Sequence, residues 1–121
     1  MFNCKYDPAQ NAIYIATSRA IAYAISKGVV VVAAAGNENI DLSTVSVDTA
    51  SPDDSTPTSR PINSSCIQIP NELPNVISVS ATGVTKVKSY YSNYSLKFVQ
   101  VCTCRDSCDH AIGQTLCVPC E

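Results

Sequence analysis

Residues 29–37 read Val-Val-Val-Val-Ala-Ala-Ala-Gly-Asn, an unbroken apolar run closed by two common turn formers. A strand with one wet face alternates apolar and polar residues. This run does not alternate, so it predicts a strand buried on both faces, as in a parallel sheet. It is also far too short to cross a membrane. Any fold for this chain must therefore cover a seven-residue apolar strand and end it abruptly at Gly36-Asn37.

The flanking sequence supports an α/β chain. Positions 9–27 contain neither Pro nor Gly, and apolar residues recur at Ile13, Ala16, Ala20, Ile21, Ala24 and Ile25, one face of a helix. Asp7-Pro8 offers an N-cap and a first-turn proline, and Lys27-Gly28 a cationic last turn and a glycine stop. Residues 38–73 are rich in Pro, Ser, Thr and Asp without any period, which predicts a long surface excursion with short strands. Residues 75–81 alternate apolar and small side chains and predict a second strand. Thr82-Gly83 turns, residues 90–95 form a polar-aromatic connection, and residues 96–101 alternate again as a third strand. Helix, buried strand, long loop and two further strands make part of a larger sheet.

Composition narrows the function. The 121 residues make room for one small domain, and 8 Lys+Arg against 10 Asp+Glu give a net charge of −2. No basic field exists to hold nucleic acid or an anionic membrane. With 45% hydrophobic and 15% charged residues the chain is globular rather than disordered. The first twelve residues are polar and lack the apolar core of a signal peptide. One histidine, His110, is present, so a mechanism needing two imidazoles is excluded. Of seven cysteines, Cys4 and Cys66 stand alone while Cys102, Cys104, Cys108, Cys117 and Cys120 crowd the end. That break separates a body, 1–101, from a tail, 102–121.

Residues 29–38, Val-Val-Val-Val-Ala-Ala-Ala-Gly-Asn-Glu, resemble a segment of the subtilisin-like serine proteases, the subtilases, in which a helix ending in Gly feeds a buried parallel strand finishing as A-A-G-N. Residues 20–28 resemble the preceding helix. Pro74-Asn75-Val76-Ile77-Ser78-Val79-Ser80-Ala81 resembles the next strand, P-x-V-I-x-V-x-A, and Ser89-Tyr90-Tyr91-Ser92-Asn93-Tyr94 the following S-x-x-S-N connection. The blocks come in family order across residues 12–101. The fold the resemblance implies is part of a three-layer α/β catalytic domain with a parallel sheet, incomplete here.

The resemblance also implies roles. Asn37 matches the asparagine whose side-chain amide donates to the oxygen of the tetrahedral intermediate, and Ala34, Ala35 and Gly36 match one wall of the pocket for the side chain before the scissile bond. From the dipeptide alone, Gly36-Asn37 is more readily a plain turn after a strand, and only the flanking blocks favour the functional role. Cys4 and Cys66 match cysteines of secreted bacterial members and imply a disulfide; the residues alone leave two unlinked thiols as the alternative. No cofactor or metal is implied for the body, and the partner implied is a peptide or protein substrate of an intact, secreted parent. Oligomeric state is open.

The triad is missing. The family places its Asp in D-[ST]-G and its His in H-G-[ST] before the matched segment, and its Ser in G-T-S-x-[AS] after it; none occurs in this sequence. Asp48-Thr49-Ala50 lacks the glycine and follows the A-A-G-N block, so it is a decoy, and His110 falls in the wrong order. After Val101 the family continues toward A-P-G, whereas this chain has Cys102-Thr103-Cys104-Arg105, whose codons read one base later can spell Ala-Pro-Ala-Gly. The tail therefore reads as a frameshift or spurious end, with a disulfide segment or a zinc site on Cys102, Cys104, Cys108, His110, Cys117 and Cys120 as rivals. Asn63-Ser64-Ser65 and Asn93-Tyr94-Ser95 fit the glycosylation pattern. The function expected is an inactive piece of a serine endopeptidase, with a non-catalytic assembly module or a small zinc protein as alternatives.

Overall fold

The computed structural model describes residues 2–49, 56–83, 87–107 and 116–117. In chain order the elements are β1 (Phe2–Cys4), α1 (Pro8–Ser26), β2 (Val32–Ala34), β3 (Val47–Asp48), β4 (Arg60–Pro61), β5 (Cys66–Gln68), β6 (Ile77–Gly83), β7 (Val101–Ser107) and β8 (Leu116–Cys117). They fall into two compact units, Met1–Val31 with Thr44–Val76, and Val32–Ser43 with Ile77–Glu121.

In the first unit, α1 begins and ends within one residue of its expected bounds, because both ends are set by local chemistry. Asp7 is extended, and its Oδ1 accepts from the N–H groups of Ala9 (3.0 Å) and Gln10 (3.3 Å), two donors that the first turn leaves without intrahelical partners. Pro8 follows, where a missing N–H costs nothing. At the other end Gly28 takes φ 81°, its N–H donates to Ile25 O, and Val29 N–H reaches back to Ala24 O. This paired closure needs a residue at ease in the left-handed region, which is glycine.

The same unit holds two small antiparallel ladders. β1 pairs with β5, placing Cys4 opposite Cys66, and a disulfide joins the two. β3 pairs with β4, placing Asp48 opposite Arg60. Phe2, Cys4, Ile62, Cys66, Leu73 and Val76 form its buried apolar set. The excursion read over 38–73 thus carries short strands.

The second unit contains a parallel sheet in the order β2-β6-β7-β8. This is the parallel α/β arrangement expected from the sequence, with three local differences. First, the apolar run is a strand only at Val32–Ala34, and Val32 is 59% exposed, as are Val29 at 52% and Val30 at 72%. A run of valines demands cover on both faces but does not provide it, and β2 has one strand neighbour among the described residues. Second, the strand read at 75–81 starts at Ile77 and runs to Gly83. Asn75 is held at φ 63° and Val76 N–H closes a turn on Leu73 O, which delays the start. Third, residues 96–98 are a turn, and the next strand begins at Val101. Ser95 Oγ accepts from the N–H groups of Lys97 (3.1 Å) and Phe98 (3.2 Å), a local side-chain turn that outcompetes the alternating pattern.

Candidate functional site

The A-A-G-N segment leaves the sheet at the carboxyl end of β2. Ala35 N–H donates to Val79 O at 2.8 Å, one residue past the strand. Gly36 then takes φ 102°, a backbone shape that a Cβ disfavours, and turns the chain out of the sheet. Of the four candidate residues, Ala35 is fully buried, Gly36 is half-buried, and Ala34 and Asn37 are exposed. The backbone N–H of Asn37 donates to the Glu38 carboxylate at 3.1 Å. The Asn37 side-chain amide bonds to none of the described residues.

Asn93 holds this turn. It is fully buried, and its carboxamide uses its whole bonding capacity on one loop. Nδ2 donates to Ala35 O (2.9 Å) and to the Glu38 carboxylate, while Oδ1 accepts from the N–H groups of Glu38 (3.0 Å) and Ile40 (3.1 Å). Its own backbone N–H donates to Gly36 O at 2.9 Å. The neighbouring residues extend the seam: Asn39 N–H to Tyr91 O, Tyr94 N–H to Ile40 O, and Leu42 N–H to Tyr94 O. Lys88 closes the far side, with Nζ donating to Asn39 Oδ1 (2.7 Å), Ser89 O (3.0 Å) and Ser92 O (2.9 Å) and lying 5.0 Å from the Tyr94 ring centre. Partial burial lowers its pKa below the usual lysine value.

The arrangement presents a neutral amide donor on a turn whose backbone is tied down on both sides. Asp48 belongs to the first unit, where its carboxylate accepts from Nε and Nη2 of Arg60 at 3.0 and 2.7 Å. Asn93 is the residue that sequence reasoning undervalued: it appeared as part of a matched block and as a glycosylation acceptor, yet its Nδ2 is buried and bonded. Among the described residues no group of three or more His, Cys, Asp or Glu side chains is placed to hold a metal. Cys108, His110 and Cys120 lie outside the described residues. A groove of about 370 Å³ in the first unit, lined by Tyr14, Ser18, Ile21, Ile25, Leu73 and Pro74 among others, involves none of the candidate residues.

A model of the subtilase family matches residues 5–111. The chain belongs to the subtilase family. Among solved structures, this subtilase resembles the crystal structure of a lanthipeptide protease with a TM-score of 0.59 and 20% identity, over 84% of this chain and 26% of that one. That likeness is one of fold, and the chain spans about a quarter of the length of the protease it resembles. No curated protein sequence matches. The family match runs past the composition break at 101/102, as does β7 of the subtilase sheet. Among the described residues no helix is long and apolar enough to cross a membrane.

Proposed function

We propose that this chain is a segment of the catalytic domain of a serine endopeptidase, in which Asn37 donates to the oxyanion and Ala34, Ala35 and Gly36 wall the pocket for the residue before the scissile bond. The observation that carries the reading is the exposed, unbonded carboxamide of Asn37 on a turn fixed at the end of a parallel strand. Negative charge appears on the substrate oxygen only as the acyl carbon is attacked. A neutral donor set in place beforehand therefore stabilises the transition state more than the ground state, by about 3–4 kcal/mol. The substrate is a peptide or protein, and the parent is a secreted enzyme. With no D-[ST]-G, H-G-[ST] or G-T-S-x-[AS] motif in its sequence, this chain has no base or nucleophile of its own and is inactive alone.

Two measurements test the reading. The chain incubated with a chromogenic peptide and with a serine-directed fluorophosphonate gives neither hydrolysis nor labelling; inhibitor-sensitive hydrolysis would overturn it. In an active subtilase domain whose matching segment is replaced by residues 29–101, Asn37→Ala lowers kcat by about 10²–10³-fold and leaves KM nearly unchanged. An unchanged kcat would remove Asn37 from the oxyanion site.

A further inference from the structure

We infer that Asn93 is the positioning residue of the candidate oxyanion donor: it fixes the backbone on both sides of Asn37 and so aims a side chain it never touches. The inference rests on the reading of Asn37 given above. The peptide before Asn37 is held through Gly36 O, which accepts from Asn93 N–H at 2.9 Å. The peptide after it is held through Glu38 N–H, which donates to Asn93 Oδ1 at 3.0 Å. Glu38 closes a ring, because its carboxylate accepts both from Asn93 Nδ2 and from the N–H of Asn37 itself.

The ring has a chemical consequence. A carboxylate one residue from an oxyanion donor opposes the charge that the donor must stabilise. Here the Glu38 carboxylate is turned onto two N–H groups, one of them on a fully buried side chain. Asn93 thus does two things at once: it orders the turn, and it occupies the Glu38 carboxylate with a buried donor. Asparagine is the side chain that suits the position, since two donors and two acceptors are needed and no net charge is tolerated.

Amide hydrogen exchange on the full chain, with backbone 15N order parameters for residues 36–40, tests this. Asn93→Ala lowers protection of the Glu38 and Ile40 amides by at least tenfold and disorders Asn37 N–H, while amides of β6 keep theirs. Asn93→Asp keeps the two acceptor bonds but sets a second carboxylate against Glu38. Its Glu38 and Ile40 amides are accordingly less protected than in the wild type at neutral pH. A purely space-filling Asn93 would lose protection evenly over the unit, and that result, or wild-type protection of the Glu38 and Ile40 amides in the alanine variant, overturns the inference. Failure of the underlying reading appears elsewhere, as an unchanged kcat for Asn37→Ala in the active domain.

Discussion

Replacing Arg60 by alanine should cost the first unit about 3 kcal/mol, and the sum can be built from the geometry. The Asp48 side chain is 1% exposed and the Arg60 side chain 22%. Two guanidinium N–H groups converge on one carboxylate oxygen, and Nη2 also donates to Phe2 O on β1. Stripping the cation from a fully buried pair costs about 3–5 kcal/mol, mostly from the anion left in a low-dielectric site. Arg60 is partly wet, so water entering the vacated space recovers some of that, leaving about 2–3 kcal/mol. Loss of the charge-assisted bond to Phe2 O adds about 1 kcal/mol. Asp48→Asn should cost only about 1–2 kcal/mol, because the amide keeps the shape and Arg60 can turn to solvent. The double variant Arg60→Ala/Asp48→Asn should cost less than the sum of the two singles. Urea denaturation followed by tyrosine fluorescence reads all three, since the chain has six tyrosines and no tryptophan. An Arg60→Ala cost below about 1 kcal/mol, or strict additivity in the double variant, would show the pair to behave as an exposed one and refute the reasoning.

Two further perturbations follow from the same structure. The Cys4–Cys66 disulfide closes a loop of sequence separation 62, so reduction or Cys4→Ser/Cys66→Ser should cost about 4 kcal/mol by unfolded-state entropy; denaturation midpoints that coincide with and without reductant would contradict this. Burial lowers the pKa of Lys88 from 10.5, so between its folded pKa and 10.5 the folded chain binds fewer protons than the unfolded one, and stability rises with pH. The stability difference between wild type and Lys88→Met should therefore shift toward wild type as pH rises from the folded pKa toward 10.5 and lose that gain as pH falls below the folded pKa; a flat difference would rule out the burial effect.

What was legible in the sequence was whatever local chemistry determines. Asp7, Pro8 and Gly28 mark the ends of α1 because capping is satisfied within four residues of chain. The valine run marked a parallel strand, and β2 is one, but burial is a property of neighbours rather than of the run. Leu96-Lys97-Phe98 deceived because alternation was weighed without Ser95, whose hydroxyl accepts from two following N–H groups and coils the segment. Gln100 then reaches the sheet differently, accepting from Ser78 N–H through Oε1 and donating its own N–H to Ser78 O, so the ladder begins one residue before the strand proper. Asn37 is singled out by its matched block. Asn93 also lies in a matched block, but its bonds are not legible there, because its partners at 35–40 lie more than fifty residues away and no period or spacing records them.

β6 explains why such a contact escapes hydropathy. Its fully covered side chains are Ser78, Ser80 and Thr82, while Ile77, Val79 and Ala81 are only half-buried. An ordinary sheet face would be the reverse. On that polar face Ser80 Oγ donates to Asn93 O at 2.6 Å, and the backbone of the same strand seats the rest of the segment: Ser92 Oγ accepts from Ala81 N–H at 2.8 Å, and Ser89 N–H donates to Ala81 O. Serine is small enough to let a neighbouring backbone close to hydrogen-bond distance and polar enough to satisfy it there. A valine in its place would hold the loop off or leave its carbonyl unpaired, at a cost of about 1–3 kcal/mol. The turn carrying Asn37 is therefore placed by directional bonds rather than by apolar packing. Directional bonds define one orientation where apolar contact tolerates many, and the oxyanion role proposed for Asn37 would need that single orientation.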